Sequence, residues 1–267
     1  MAEPQRARPS LDLAWNPIVF ALGQVVISAV LNMETYIPEI QERLRKTGYP
    51  RFERLELQAV RLEAGSTPRM HTETRWLFIN RDKTGLVSIN TNSIVLERSE
   101  YTSFDDFANE LADVLGHIQA VIDVELVDRL GFRRVNLLEE HSNLTVAEAL
   151  RPELHGVSAE TFTTGGEHKY EFLANTDTGR LIARTSYPAP EGVLPIDLSS
   201  SQLNVRKPTN LASSATVDID HFMVEPADFS VDRVIESFWR LHDASDLAFR
   251  CAVTDTALTA WRRGEPT

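Results

Sequence analysis

Cys251 is the only cysteine in the chain. This excludes an intramolecular disulfide and any Cys-x-x-Cys motif, and it fits a reducing compartment. There are seven histidines but no His-Glu-x-x-His run, so no recognisable zinc site is written into the sequence. Phosphate-cradling GxxxxGK[ST] and GxGxxG loops are absent, as is the GxSxG nucleophile elbow. No apolar run reaches the ~20 residues of a membrane span; the longest, Ile18 to Leu31, is interrupted by Gly23, Gln24 and Ser28. Met1 to Pro9 carries Arg6 and Arg8 with no apolar core behind them, unlike a signal peptide. The expectation is a cytoplasmic protein without cofactor or metal, away from the membrane. Positive charge is also scarce: 27 Lys+Arg stand against 39 Asp+Glu, a net charge of −12. That field repels phosphate backbones and argues against a nucleic-acid partner.

What is present is a globular composition: 267 residues, 42% hydrophobic and 25% charged, enough for one large domain or two small ones. Ile18–Val30, rich in Val, Ile and Ala, predicts a largely buried strand. Asn32 opens a short amphipathic helix with Ile37, Ile40 and Leu44 at helical spacing, stopped by Gly48 and Pro50. Phe52–Leu62 alternates like a strand with one wet face, and Trp76–Asn80, Leu86–Thr91 and Ile94–Arg98 extend it into an antiparallel meander. Ser103 with Asp106 then caps a long helix striped by Phe104, Phe107, Leu111, Val114, Leu115, Ile118 and Ile122.

The second half runs through a similar programme. Phe132–Leu138 predicts a strand, and Thr145 with Glu148 a capping box for a short helix limited by Pro152 and Gly156. Strands follow at Glu160–Thr164, Lys169–Asn175, Arg180–Tyr187 and Thr216–Val224, with Pro188–Ala215 as an inserted loop. The final helix begins near Ser230, with Val231, Val234, Ile235, Phe238 and Leu241 on one face, and runs to Trp261 with a break at Asp243–Asp246. Thirteen residues separate Phe104 from His117, and also Phe229 from His242. The turns are offset by 95 residues (Asn80 to Asn175) and the helices by 125 (Phe104 to Phe229), and the difference is close to the inserted loop. These spacings predict an α+β fold with a tail over 1–14 and a tandem pseudo-repeat. One β-α-β(4)-α half spans 15–127, and a second spans 128–267 with the insertion 188–215. Antiparallel sheets would carry the long helices on one face and leave the other face open.

That order of elements resembles the two-copy fold of TATA-binding proteins, whose single-copy relatives include helix-grip ligand-binding domains. The halves carry −5 and −7, however, so neither is a basic saddle. A second resemblance lies in the run Asp128-Arg129-Leu130-Gly131-Phe132-Arg133-Arg134-Val135-Asn136, preceded by Tyr101–Phe107 and Pro38–Arg43. It is similar to a strand motif of a sporadically distributed, uncharacterised bacterial family of about this length. That motif usually reads Arg, a spacer, Gly, Leu, Arg, aromatic, Ile, Asn; here Phe132 replaces the Leu and Arg134 the aromatic. The resemblance implies bacterial origin and toxin–antitoxin or defence-like gene neighbourhoods, beside helix-turn-helix or metallopeptidase-like proteins. It implies no catalytic residue.

Adjacent residues on a strand point to opposite faces, so one of Arg133 and Arg134 must lie against the helices or find an anionic partner. A buried charge left unpaired is prohibitive, which leaves an internal ion pair or anion recognition as the two readings. Arg129, Arg133 and Asn136 of the motif are candidate partner- or ligand-binding residues, together with His117 and His242 at matching helix positions. The histidines read either as acid–base groups beside a cavity or as half-buried helix residues. Glu139-Glu140-His141 has no second His at ligand spacing and reads as a solvated strand end rather than a metal site. Cys251 reads as a buried, inert thiol. Trp76, Phe78, Tyr170 and Phe172 alternate along corresponding strands, forming core if covered and a partner surface if open.

The sequence contains no catalytic constellation. The expected function is therefore a non-enzymatic, cytoplasmic protein-binding factor, antitoxin-like or defence-associated, engaging another protein through the open sheet face. The alternative is a small-ligand module with a cavity between the sheet and the long helices. Homo-oligomerisation stays open.

Overall fold

A computed structural model describes residues 13–61, 69–141, 143–156 and 166–263. The chain is α+β. Its first half runs β1 (Ile18–Ile27), α1 (Met33–Lys46), β2 (Arg51–Arg61), β3 (Arg69–Ile79), β4 (Gly85–Ile89), β5 (Ser93–Arg98) and α2 (Phe104–Gln119). The second runs β6 (Leu126–Leu138), α3 (Val146–Ala149), β7 (His168–Thr176), β8 (Gly179–Tyr187), β9 (Ala215–Met223), β10 (Ala227–Asp228), α4 (Val231–Ala252) and α5 (Asp255–Arg263). All the strands join one antiparallel sheet in the order β2-β3-β4-β5-β1-β6-β9-β8-β7, with β10 paired to the start of β6. The two halves meet at β1 and β6, where Leu22 faces Arg133 and Gly23 faces Phe132.

The capping signals work as their chemistry requires. Ser103 Oγ accepts the Asp106 amide at the start of α2. Thr145 and Glu148 bond reciprocally at α3. Gly48, at φ +106°, ends α1 in a conformation that side chains disfavour. One face of the sheet carries α1, α2 and α4 over Ala21, Val25, Trp76, Phe78 and Phe132. The long helices close directly onto β1 at Gly23: a Cβ there would stand 3.1 Å from Phe107 of α2 and 3.2 Å from Phe238 of α4.

Two features differ from the sequence expectation. The second face is not open over its centre, because the segment after β8 crosses it and buries Val193, Leu194 and Leu203 against Leu77, Ile79, Val135 and Leu137. Asn204 pins this segment to the first half through the Lys83 and Asp82 carbonyls. The expected break at Asp243–Asp246 does not occur, since the Ser245 hydroxyl bonds the Leu241 carbonyl and Asp246 is held from β6 by Arg134. The chain turns instead after Ala252, where the Thr254 hydroxyl bonds the Glu148 carbonyl and its backbone oxygen accepts the Leu258 amide. The short helix expected after Thr145 is the four residues of α3. The strand expected at Glu160–Thr164 lies outside the described residues.

Candidate functional site

Alternation along β6 sends its two arginines to opposite faces, and each meets a carboxylate from a different element. Arg133, 6% exposed, lies on the face crossed by the 188–214 segment. Its Nε and Nη2 donate to the two oxygens of Asp218 on β9 at 2.8 Å each. Its Nη1 and Nη2 reach Asp197 in the crossing segment. Arg184 on β8 links Asp218 to Glu171 on β7, completing a ladder of alternating charge across four strands and the crossing segment. Burial alone would pull the Arg133 guanidinium down, but Asp218 and Asp197 more than reverse this and hold it charged. Arg129 on the same face donates to Gln24 and sits 4.5 Å above the Phe222 ring. The ladder is an internal tie, and Asp197 is its one strongly exposed acid in the crossing segment.

Arg134 points the other way, beneath the helices, and pairs with Asp246 of α4 at 2.5 Å. His242, also on α4, places Nε2 3.6 Å from Asp246 and stacks its ring 4.0 Å from that of Phe104 at the start of α2. These groups line a cavity of about 280 Å³ between the sheet and the long helices, together with Tyr101, Asn136 and Phe249. Asn136 is buried, its Nδ2 donating to the Val217 carbonyl. Burial pushes the Tyr101 hydroxyl well above its usual range, so it is a proton donor here. Arg134, Asn136 and His242 are thus brought together, whereas Arg129 and Arg133 lie on the opposite face. His117 is near the far end of α2, thirteen residues from Phe104, and takes no part in the cavity wall.

Other candidates resolve differently. Glu139 is used by Arg206 and the Thr209 amide, and His141 stacks on Trp15. Cys251 is exposed on α4, which corrects the expectation of a buried thiol. Its neighbours Phe249 and Ala252 face the core, but Cys251 sits one helical step away from that stripe. Among the described residues no group of three or more His, Cys, Asp or Glu is placed to hold a metal, and no helix is long and apolar enough to cross a membrane.

His221 on β9 is a buried histidine that sequence reasoning passed over. Its Nδ1 faces the Leu241 carbonyl at 3.0 Å and its Nε2 the Thr176 hydroxyl at 2.8 Å, a pattern satisfied by the neutral ring. Burial lowers its pKa below the usual 6.5, against an opposing bond to Leu241. As pH falls below about 6.5 the unfolded chain takes up this proton before the folded one, so its stabilising contribution is complete above that value and declines below it. Urea unfolding at about pH 7.5 and about pH 5.5 is expected to show a drop to which His221 contributes at most about 1.4 kcal/mol. His221→Gln should flatten that part of the profile.

A wide apolar groove lies at the end of the sheet. β8 and β7, the Pro152–Leu154 turn and α4 enclose a groove of about 610 Å³ lined by Tyr170, Phe172, Leu181, Leu247, Ala248 and Cys251, among others. Tyr170, Phe172 and Leu247 are 46%, 50% and 47% exposed. Tyr170 and Phe172 face the same side of the sheet as Trp76 and Phe78 on β3, but Trp76 and Phe78 are buried in the core that α1 and α2 cover. In the first half α1 supplies Ile37, Ile40 and Leu44 to that core. No helix occupies the matching place beside α4 among the described residues. Neither the known protein-family models nor the curated proteins return a match to this chain.

Proposed function

We propose that the chain is a non-enzymatic protein-binding factor, antitoxin-like or defence-associated, whose partner lays an amphipathic helix into the groove between β7–β8 and α4. The unequal covering of the two aromatic stripes carries this reading: Trp76 and Phe78 are buried, while Tyr170 and Phe172 stand open. A tandem duplication accounts for the inequality. The first copy keeps its helix over the stripe, and in the second the four residues of α3 are too few to cover one. A partner helix with apolar residues at the spacing of Ile37, Ile40 and Leu44 replaces what that copy lacks, in the helix-in-groove mode of recognition. Aromatic side chains in a concave apolar setting are the residue types that anchor such interfaces. Of the neighbours implied by the family resemblance, a helix-turn-helix protein offers helices of this kind. The face expected to dock a partner is thus replaced by the helix-side groove, because the 188–214 segment covers the centre of the other face.

Phe172→Asp and Leu247→Asp each put a charge in the groove at a half-exposed position. Both variants are expected to keep the wild-type urea midpoint. Both should lose the partner co-purified from native-host extract, with affinity falling by about a hundredfold or more. Equal recovery by the variants and wild type, or no partner with wild type, removes the reading.

A further inference from the structure

We infer that the cavity between β6, the start of α2 and α4 binds a small zwitterion of the free amino-acid type, its carboxylate on Arg134. The neighbouring arginine shows how such a side chain is used here: Arg133 offers Nε and Nη2 as a pair to both oxygens of Asp218. Arg134, 2% exposed and lining the cavity, has the same edge without an acceptor. Its Nη1 pairs with Asp246, while Nε and Nη2 are buried with no hydrogen-bond partner. The Tyr101 hydroxyl, part of the same wall, is also buried and unpartnered. All these unmet groups are donors, and buried donors of this kind call for an acceptor with more than one oxygen. Ser103 to Asp105 add the positive end of the sixteen-residue α2 to the wall, which favours a carboxylate further.

Charge decides between a simple anion and a zwitterion. The fixed charges in the wall are Arg134 against Asp105 and Asp246, with His242 beside them. Acetate or phosphate would add negative charge to a wall that already has an excess of it. A ligand that also carries an ammonium group does not, and Asp105, exposed at the start of α2, is the acid available to it. Ile18, Phe104 and Phe249 leave an apolar remainder for an aliphatic side chain, and about 280 Å³ suits a molecule of amino-acid size.

Calorimetric titration of the intact protein at neutral pH with each free amino acid, acetate and inorganic phosphate tests the assignment. An amino acid with an aliphatic side chain is expected to bind, and acetate and phosphate are not. Tyr101→Phe and Asp105→Asn, which keep the surrounding packing, should each weaken that binding about tenfold. Arg134→Lys keeps a charge for Asp246 but removes the two-donor edge, and should abolish it. Three results overturn the inference: no amino acid binds, acetate or phosphate binds as tightly as the best amino acid, or Tyr101→Phe and Asp105→Asn leave the affinity unchanged. The site is separate from the groove, so Phe172→Asp should leave amino-acid binding intact and the two proposals fail independently.

Discussion

Arg133→Ala is expected to lower the unfolding free energy by about 3–5 kcal/mol, read from urea denaturation at neutral pH. The loss comes less from the bonds removed than from what they leave behind. Asp218 is 2% exposed and keeps only Arg184, at 3.3 Å, in place of a two-pronged partner at 2.8 Å. A buried carboxylate stripped of its main cation is among the largest single-site penalties a fold can carry. The contrast is Asp197→Ala. Asp197 is more than half exposed, so its removal should cost only about 0–1 kcal/mol. That change should nonetheless raise hydrogen exchange in the crossing segment, because Arg133 tethers it there. A double change, Arg133→Met with Asp218→Leu, removes both charges and should cost less than Arg133→Ala alone. If Arg133→Ala costs under about 1 kcal/mol, the ladder is a surface ornament and not an internal tie.

Phe238→Ala should cost a similar amount, about 3–5 kcal/mol. Phe238 is fully buried in α4 and meets the central strand at Gly23, where an added Cβ would stand 3.2 Å from its ring. Truncating it opens a void between α4, α2 and β1 that rigid neighbours fill only in part. Gly23→Ala alone should destabilise by about 1–3 kcal/mol, because its new methyl meets Phe107 at 3.1 Å and Phe238 at 3.2 Å. The two changes are of opposite sense at one contact, so the double variant should cost less than the sum of the singles. Strict additivity in that cycle would show that Gly23 and Phe238 do not share the contact.

What the sequence conveys depends on how local the signal is. Ser103 and Thr145 announce their helices because a cap is written within four residues. The long apolar stripe of α2 and the alternation of β2, and of Trp76 and Phe78 on β3, likewise follow from periods of 3.6 and 2. The adjacent arginines of β6 require that one of them lie beneath the helices or meet an anion, but local spacing names no partner for either. Asp218 is 85 residues away and becomes the partner of Arg133 only through the register of β6 on β9. Asp246 reaches Arg134 only because α4 continues through a stretch whose polarity suggested a break. The cavity shows the same limit. Tyr101 precedes α2, Arg134 lies on β6 and His242 on α4, and no spacing in the chain joins them. The aromatic stripes are the converse case. Alternation places Trp76, Phe78, Tyr170 and Phe172 on strands, and only the packing of α1 shows that one pair is core and the other a surface.

Cys251 gives the groove reading its most direct test. It is the chain's only cysteine, exposed, and on the groove wall, so a benzophenone maleimide attached there reports on what enters, with no substitution needed. Irradiation of the labelled protein in native-host extract is predicted to yield one dominant protein adduct. The cross-linked peptide should be an amphipathic helix with apolar residues three and four apart, and the adduct should vanish in the labelled Phe172→Asp variant. An adduct that persists unchanged in Phe172→Asp, or a labelled wild-type protein that captures nothing, would contradict the groove as a partner site.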